Sequence, residues 1–452
     1  MSSESTAPLA GVLEPAHKLS ARSVTAGLPA FTKLAFGGTA PIPDTWEHET
    51  RSLPRSLQRH RRKARAFAET KLAPLALELD ATPHWNVGEQ PAALDQLLVE
   101  AGRAGWLSDL LPKPLGSSDL ANARFPLPLA SSIKIEEFSR VCGGQMLLLS
   151  ANSLGQVPLL LSANPGLIKR RLVSGMKSCQ SGDPYLYGYA ITEPQAGSDV
   201  EDGYGAATAK PGLVARRGNG GWILNGSKVF TSGGDVARGF TVFASLEGEG
   251  YESWTCFFVE KGTPGFRPIR TELKMGMRAS GAAELEFVDV FVPDADVVGK
   301  LRQGWSLNRQ TLNLSRVPVA AMSVGFAQAA CDILIDYVRH TSLGGRPLLD
   351  QQSAQLVVAE AIAQTSAIRA QLWRTSGSWR VHQSYAAMNK FHASDTAMSV
   401  IELAMDVLGP DSLLHQQRLE KVWRDCRLTQ IFEGTNQINR LAVIEGLQAH
   451  LA

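Results

Sequence analysis

The hydrophobic period of this chain changes twice, and that double change limits the folds it can adopt. From Trp46 to about residue 185 the pattern is helical, with breaks at Pro112, Pro114 and Pro126. From 186 to 294 the period shortens. Leu213-Val214-Ala215 and Trp222-Ile223-Leu224 flank Gly218-Asn219-Gly220-Gly221, a hairpin signal, and further strands are expected at 241–246, 255–260 and 285–292. After Gly304 the helical spacing returns. Val319, Met322, Phe326, Ala330, Ile333 and Tyr337 form one apolar stripe, the mark of a helix packed on one face. More helices are expected over 351–374, 384–408 and 418–430. Long helices joined by short links predict an antiparallel bundle. The expectation is an α+β chain in four parts: an extended or mobile arm over 1–45, a helical domain over 46–185, a β domain over 186–294 and a helical bundle over 295–452.

A length of 452 residues suits two or three domains. With 45 Lys+Arg against 43 Asp+Glu, the net charge is +2, so no overall field selects nucleic acid. The local cluster Arg51, Arg55, Arg59, His60, Arg61, Arg62, Lys63 and Arg65 has no interleaved aromatics and reads as a solvated helix face. Cys142, Cys179, Cys256, Cys331 and Cys426 are far apart with no C-x-x-C. That pattern is neither a disulfide framework nor a zinc site and suits a reducing compartment. No apolar run reads as long enough to span a bilayer, and no short apolar core follows basic residues at the N-terminus; a cytoplasmic location is expected. There is no G-x-S-x-G elbow, P-loop or H-E-x-x-H. Gly203-Tyr204-Gly205 is only a fragment of a dinucleotide fingerprint, and the nine histidines lack ligand spacing.

Three dense segments remain. Residues 429–441 read TQIFEGTNQINRL and place Glu433 before a Gly-Thr step, where backbone can approach a ligand closely. Residues 189–200 read YAITEPQAGSDV, a strand followed by a Gly-Ser turn able to offer N–H groups and a hydroxyl to phosphate. Residues 225–233 read NGSKVFTSG, with an aromatic and a hydroxyl two residues apart at Phe230 and Ser232. Taking a proton from the carbon beside a thioester needs a positioned base. The charge that then forms on the carbonyl oxygen needs hydrogen-bond donors. A hydride leaving the next carbon needs an acceptor that no side chain supplies, and a flavin does.

Together these segments resemble the acyl-CoA dehydrogenase family, over about residues 90–450. The resemblance implies an N-terminal helical domain, a barrel-like middle β domain and a C-terminal antiparallel helix bundle, with FAD as cofactor. It implies α,β-dehydrogenation of an acyl-CoA thioester to the 2-enoyl-CoA: Glu433 takes the α proton, its own N–H helps hold the thioester oxygen, and hydride passes to flavin N5. Arg316, in Leu314-Ser315-Arg316-Val317-Pro318, matches an arginine near the base and thioester. Tyr189, Ile191, Thr192, Gly197, Ser198, Phe230, Thr231, Ser232, Thr435 and Gln437 map onto cofactor contacts, and Ser198, Arg316 and Gly434 onto substrate contacts. Gln352, after Gly345-Arg346-Pro347-Leu348, and Gly409 map onto the part of the flavin site shared between subunits of a homodimer or homotetramer. Electrons would pass to an electron-transfer flavoprotein or a similar acceptor.

The chain departs from the pattern there: Thr341 stands where relatives carry an arginine for the neighbouring flavin's phosphates, with Arg339 nearby, Gly344 replaces Phe, Asp406 replaces Gln and Pro410 replaces Gly. These changes touch flavin affinity or subunit geometry rather than chemistry at Glu433. The alternatives are the same reaction on an acyl group tethered to a carrier protein, a flavin oxidase or monooxygenase, and a non-catalytic binding protein on this scaffold.

Overall fold

The structure, a computed structural model, describes residues 44–201 and 203–451. It divides into two compact units, Met1–Leu53 and Pro54–Ala452. The arm expected over 1–45 lies outside the described residues except for Asp44 and Thr45. In the first unit a short helix spans Thr45–Thr50, and the Asp44 carboxylate caps it by accepting from the Glu47 N–H at 2.9 Å.

The second unit opens with α1 (Arg55–Phe67), α2 (Ala92–Ala104), α3 (Leu127–Val141), α4 (Gly143–Leu161) and α5 (Ser174–Ser181). On α1, Leu57, Arg61, Ala64 and Phe67 are buried, so the basic cluster is not simply a solvated face. Arg61 and Arg65 reach the wholly buried Glu137 of α3 at 2.6 and 3.0 Å, and His60 turns inward beside Trp106. Arg59, Arg62 and Lys63 keep the expected exposure.

Eight strands follow: β1 (Tyr187–Ala190), β2 (Leu213–Gly218), β3 (Gly221–Ser232), β4 (Gly239–Leu246), β5 (Thr255–Glu260), β6 (Phe266–Thr271), β7 (Ala282–Pro293) and β8 (Val297–Val298). They form one sheet in the order β6-β7-β3-β2-β4-β5-β8, with β1 added in parallel to β4. The hairpin expected at Gly218–Gly221 joins β2 to β3. Its turn glycine Gly220 has φ +73°, a conformation that costs glycine little.

The last helices are α6 (Gly304–His340), α7 (Gln352–Ser376), α8 (Gln383–Leu408), α9 (Leu419–Leu428) and α10 (Asn436–Leu451). α6 packs against α3, α7 and α8, and α8 also against α10. The contact with α3 is close: a Cβ on Gly325 would lie 2.0 Å from the Ser139 hydroxyl. One expectation from sequence fails here. By length and composition α6 could cross a bilayer, but 78% of its most apolar window is buried inside the protein. Its apolar surface is therefore met by neighbouring helices on several sides, as for the central helix of a large bundle.

Candidate active site

The first wall of the site is built by β1 and β3. Register along β3 and β7 shifts between Lys228 and Thr231, a bulge that re-aims side chains. Within it Phe230 has φ +56°, an uncommon conformation for a bulky residue, and its ring is 59% exposed. The neighbouring Thr231 hydroxyl points inward, buried and without a hydrogen-bond partner. The segment after β1 is clamped to this bulge. The Val229 N–H donates to the Thr192 carbonyl at 2.9 Å. Lys228, wholly buried, donates to the Ile191 carbonyl at 2.8 Å and the Glu193 carboxylate at 2.7 Å. Glu193 also accepts from the Tyr251 hydroxyl at 2.6 Å and the Gly212 N–H at 2.5 Å. A buried charge is tolerated only when paired and hydrogen-bonded, and this one is.

The second wall is the turn between α9 and α10. Glu433 and Gly434 have φ +55° and +78°, so a non-glycine residue is held in a left-handed conformation that the surroundings must enforce. The turn is pinned from four directions. Lys390 of α8 donates to the Gly434 carbonyl at 2.7 Å and to Asn436 Oδ1 at 2.8 Å. Asn439 donates to the Gly434 and Thr435 carbonyls at 2.8 and 3.0 Å. The Thr435 N–H donates to the Ser198 hydroxyl at 3.0 Å. Thr435 Oγ1 in turn accepts from the Ile438 N–H at 3.3 Å and caps α10.

This turn presents the Glu433 carboxyl to an apolar cavity between α3, α4 and α6, on whose lining Phe432, Glu433 and Ser232 meet Leu314, Pro318 and Met322. The Ser315 hydroxyl donates to Glu433. Burial pushes the Glu433 pKa above the ordinary carboxylate value, against the pull of Ser315, Arg316 and Lys390. Arg316 does not line this cavity. It is buried behind it and donates to Glu201 Oε2 at 3.0 Å. Burial raises Glu201 to about 7, with Arg316 opposing and the Glu433 charge adding to the rise. Lys390 is drawn down to about 7 by burial, with Glu433 opposing. Two carboxylates and two cations thus surround the turn. A base whose pKa is lifted toward neutrality, on a dry wall, is suited to taking a proton from carbon.

Most residues singled out from the sequence meet here, some in other postures than expected. The Ser198 hydroxyl, expected to face phosphate, accepts from the Thr435 N–H, and the Gly197 N–H beside it donates to the Asp199 carboxylate at 2.7 Å. The Tyr189 side chain is buried and donates to Asn308 at 2.7 Å, so only its backbone is free to face a ligand. Ile191, Thr192 and Ser232 are half-buried at the surface of the bulge, and Gln437 is exposed on the first turn of α10. Gln352 and Gly409, at the start of α7 and the end of α8, make no hydrogen bond to this set among the described residues. Thr341 caps α6, and Arg339 and Asp406 are exposed on the last turns of α6 and α8. Sequence reasoning missed Ser315, Glu201, Lys390 and Glu193. Ser315 adjoins Arg316, Glu193 lies within the 189–200 segment and Glu201 directly follows it, so those three could have been found from proximity; Lys390 carries no local signal.

A carboxylate held by a strained turn on the wall of an apolar cavity, with an exposed ring on a bulged strand and a helical–β–helical frame, is the arrangement of a base-assisted dehydrogenase fold. The comparisons agree. The N-terminal, middle and C-terminal domains of acyl-CoA dehydrogenase match residues 54–177, 188–290 and 302–448. Cyclohex-1-ene-1-carbonyl-CoA dehydrogenase of Geobacter metallireducens is 34% identical over 384 residues, covering 83% of this chain and 94% of the relative. The mitochondrial short-chain specific acyl-CoA dehydrogenase of Bos taurus is 30% identical over 413 residues, covering 89% and 94%. The solved structure of butyryl-CoA dehydrogenase from Megasphaera elsdenii superposes with a TM-score of 0.78 at 28% identity, covering 88% of this chain and 99% of that one. The chain belongs to the acyl-CoA dehydrogenase family, and it is an oxidoreductase acting on the CH–CH bond of acyl-CoA.

The family is FAD-dependent, and the residues here fit that cofactor. The exposed Phe230 ring offers an aromatic face and the clamped backbone of 191–192 is held to the same bulge; Thr231, expected among the cofactor contacts, is buried on the opposite side of the strand and does not reach that face.

Proposed function

We propose that the protein carries out FAD-dependent α,β-dehydrogenation of an acyl-CoA to the 2-enoyl-CoA, with Glu433 as the base. The observation that carries this reading is the Glu433 carboxyl on the wall of the apolar cavity, held there by a left-handed turn with a raised pKa. The cavity excludes water from the acyl chain and brings its α carbon to the carboxylate. The Ser315 hydroxyl fixes the orientation of the carboxylate while it is ionised. The Glu433 N–H, which the turn leaves without a backbone acceptor among the described residues, is the donor available to the thioester oxygen as charge builds there. Arg316 and Lys390 oppose the rise that burial imposes on the base. Ile191, Thr192, Phe230 and Ser232 would hold the cofactor, which supplies the hydride acceptor when bound.

The natural electron acceptor is an electron-transfer flavoprotein or a similar carrier. The protein acts as a homodimer or homotetramer in which Gln352 and Gly409 serve a neighbouring subunit's cofactor. The relatives named above act on CoA thioesters, which favours CoA over a carrier protein. Five free, buried thiols suit a reducing compartment such as the cytoplasm.

The test is Glu433→Gln, titrated with acyl-CoA thioesters without oxygen while the visible flavin band is recorded. The variant should retain the yellow cofactor and fail to bleach. Bleaching at the wild-type rate would remove Glu433 from the mechanism.

A further inference from the structure

The acyl cavity has a second polar wall that proton abstraction does not use. Lys134 of α3 lines it with its side chain 3% exposed, and donates to Asp109 Oδ2 at 2.7 Å. His60 of α1 lines it as well, with Nε2 3.0 Å from the Ala130 carbonyl. That contact makes Nε2 the proton donor and leaves Nδ1 as an acceptor. Burial lowers the His60 pKa, so the ring is neutral. Ser150 of α4 adds a buried hydroxyl with no hydrogen-bond partner. These groups are electrically separate from the base: the cations acting on Glu433 are Arg316 and Lys390. Much of the remaining lining is aliphatic, with Leu110, Leu147, Leu154 and Val157.

A plain alkyl chain filling this cavity would cover the Lys134–Asp109 ion pair without meeting its remaining donors and lone pairs, and would leave the Ser150 hydroxyl orphaned, which is costly. An acyl group ending in a carboxylate would meet Lys134 but also Asp109, and that pair has no net charge to offer an anion. A hydroxyl suits both: it accepts from Lys134 or Ser150 and donates to Asp109 or His60. Building on the dehydrogenase reading above, we infer that the preferred acyl group carries a hydroxyl on its chain or ring, recognised by Lys134, Asp109 and Ser150. These residues set specificity and take no part in the proton or hydride step.

The experiment follows bleaching of the bound flavin, without oxygen, by matched thioesters. Hexanoyl-CoA is set against 6-hydroxyhexanoyl-CoA, and cyclohexane-1-carbonyl-CoA against its 4-hydroxy counterpart, with adipoyl-CoA as the carboxylate control. At least one hydroxylated member should exceed its parent about tenfold or more in reduction rate over Kd, the size of a hydrogen bond to a charged group. The double variant D109N/K134M, which strands no charge, should bring that ratio close to one. Ser150→Ala, which removes only an unpartnered hydroxyl, should lower it in the same direction. Equal or poorer reduction by both hydroxylated thioesters, preference for adipoyl-CoA, or a ratio that survives both variants overturns the inference while leaving dehydrogenation standing. Failure of every thioester to bleach the flavin overturns both.

Discussion

Lys390→Met tests whether the turn around Glu433 is held by charge. The ammonium is wholly buried and makes two hydrogen bonds, to the Gly434 carbonyl at 2.7 Å and to Asn436 Oδ1 at 2.8 Å. Each is charge-assisted and contributes about 1.5–3 kcal/mol, offset by the several kcal/mol that burying an ammonium costs. The net loss of stability should be about 1–3 kcal/mol. The Gly434 carbonyl keeps its bond from Asn439, so the turn loosens rather than unfolds. A base displaced by a fraction of an ångström should slow flavin reduction by roughly ten- to a hundredfold.

Two further readouts separate this role from a purely structural one. Removing a cation that lowers the Glu433 pKa lets that pKa rise further, so the acid limb of the reduction rate must move to higher pH. Lys390 itself sits at about 7 in the folded state against an ordinary 10.5. Between those values the unfolded chain binds the extra proton, so stability rises with pH through that window, and its contribution is lost as pH falls through about 7. The methionine variant should lack that slope. Anaerobic stopped-flow reduction across pH, with urea melts at matched pH, measures both. A rate within twofold of wild type and an unmoved acid limb would refute the argument.

Other substitutions read the same charge balance and the cofactor wall. Glu201→Gln removes the carboxylate paired with Arg316, leaving that cation to lower the Glu433 pKa without a counter-charge, so the acid limb should move to lower pH, opposite to Lys390→Met; the same stopped-flow series checks the sign. Lys228→Met strands the buried Glu193 carboxylate, which keeps only Tyr251 and two backbone N–H donors. It should cost about 3–5 kcal/mol and weaken FAD retention, because the 191–192 backbone loses its clamp; thermal melts with and without added FAD check both.

What the sequence revealed and what it hid divide along physical lines. The hairpin, the strands and the bundle helices were legible because their signals are local: a turn between apolar runs, or apolar residues at fixed spacing. The string around Glu433 was legible for the same reason. Arg61 was misassigned to solvent although a local signal existed, since Leu57, Arg61, Ala64 and Ala68 share helical spacing and are all buried; the charge of the cluster outweighed its period. The apolar run of α6 was underestimated because scattered polar residues such as Ser323 and Gln328, both buried, interrupt it in the sequence without interrupting the helix.

The charge environment of the site was legible only in part, through Glu433 and Arg316, and the rest was hidden for a different reason. Glu201, Arg316, Lys390 and Glu433 come from four distant positions, and each taken alone reads as an ordinary charged residue. Only packing of α6, α8 and the α9–α10 turn against the segment after β1 makes them one set, in which Lys390 answers Glu433 and Arg316 answers Glu201. The same holds for Lys134, Asp109 and His60 on the far polar wall. The residues that identify the reaction thus sit together in the sequence, while those that tune the base and choose the acyl group are assembled by the fold. Substitutions confined to α1, α3 and α4 should therefore alter the preferred acyl group while leaving the Glu433 turn, whose hydrogen bonds come from α8, α10 and Ser198, intact.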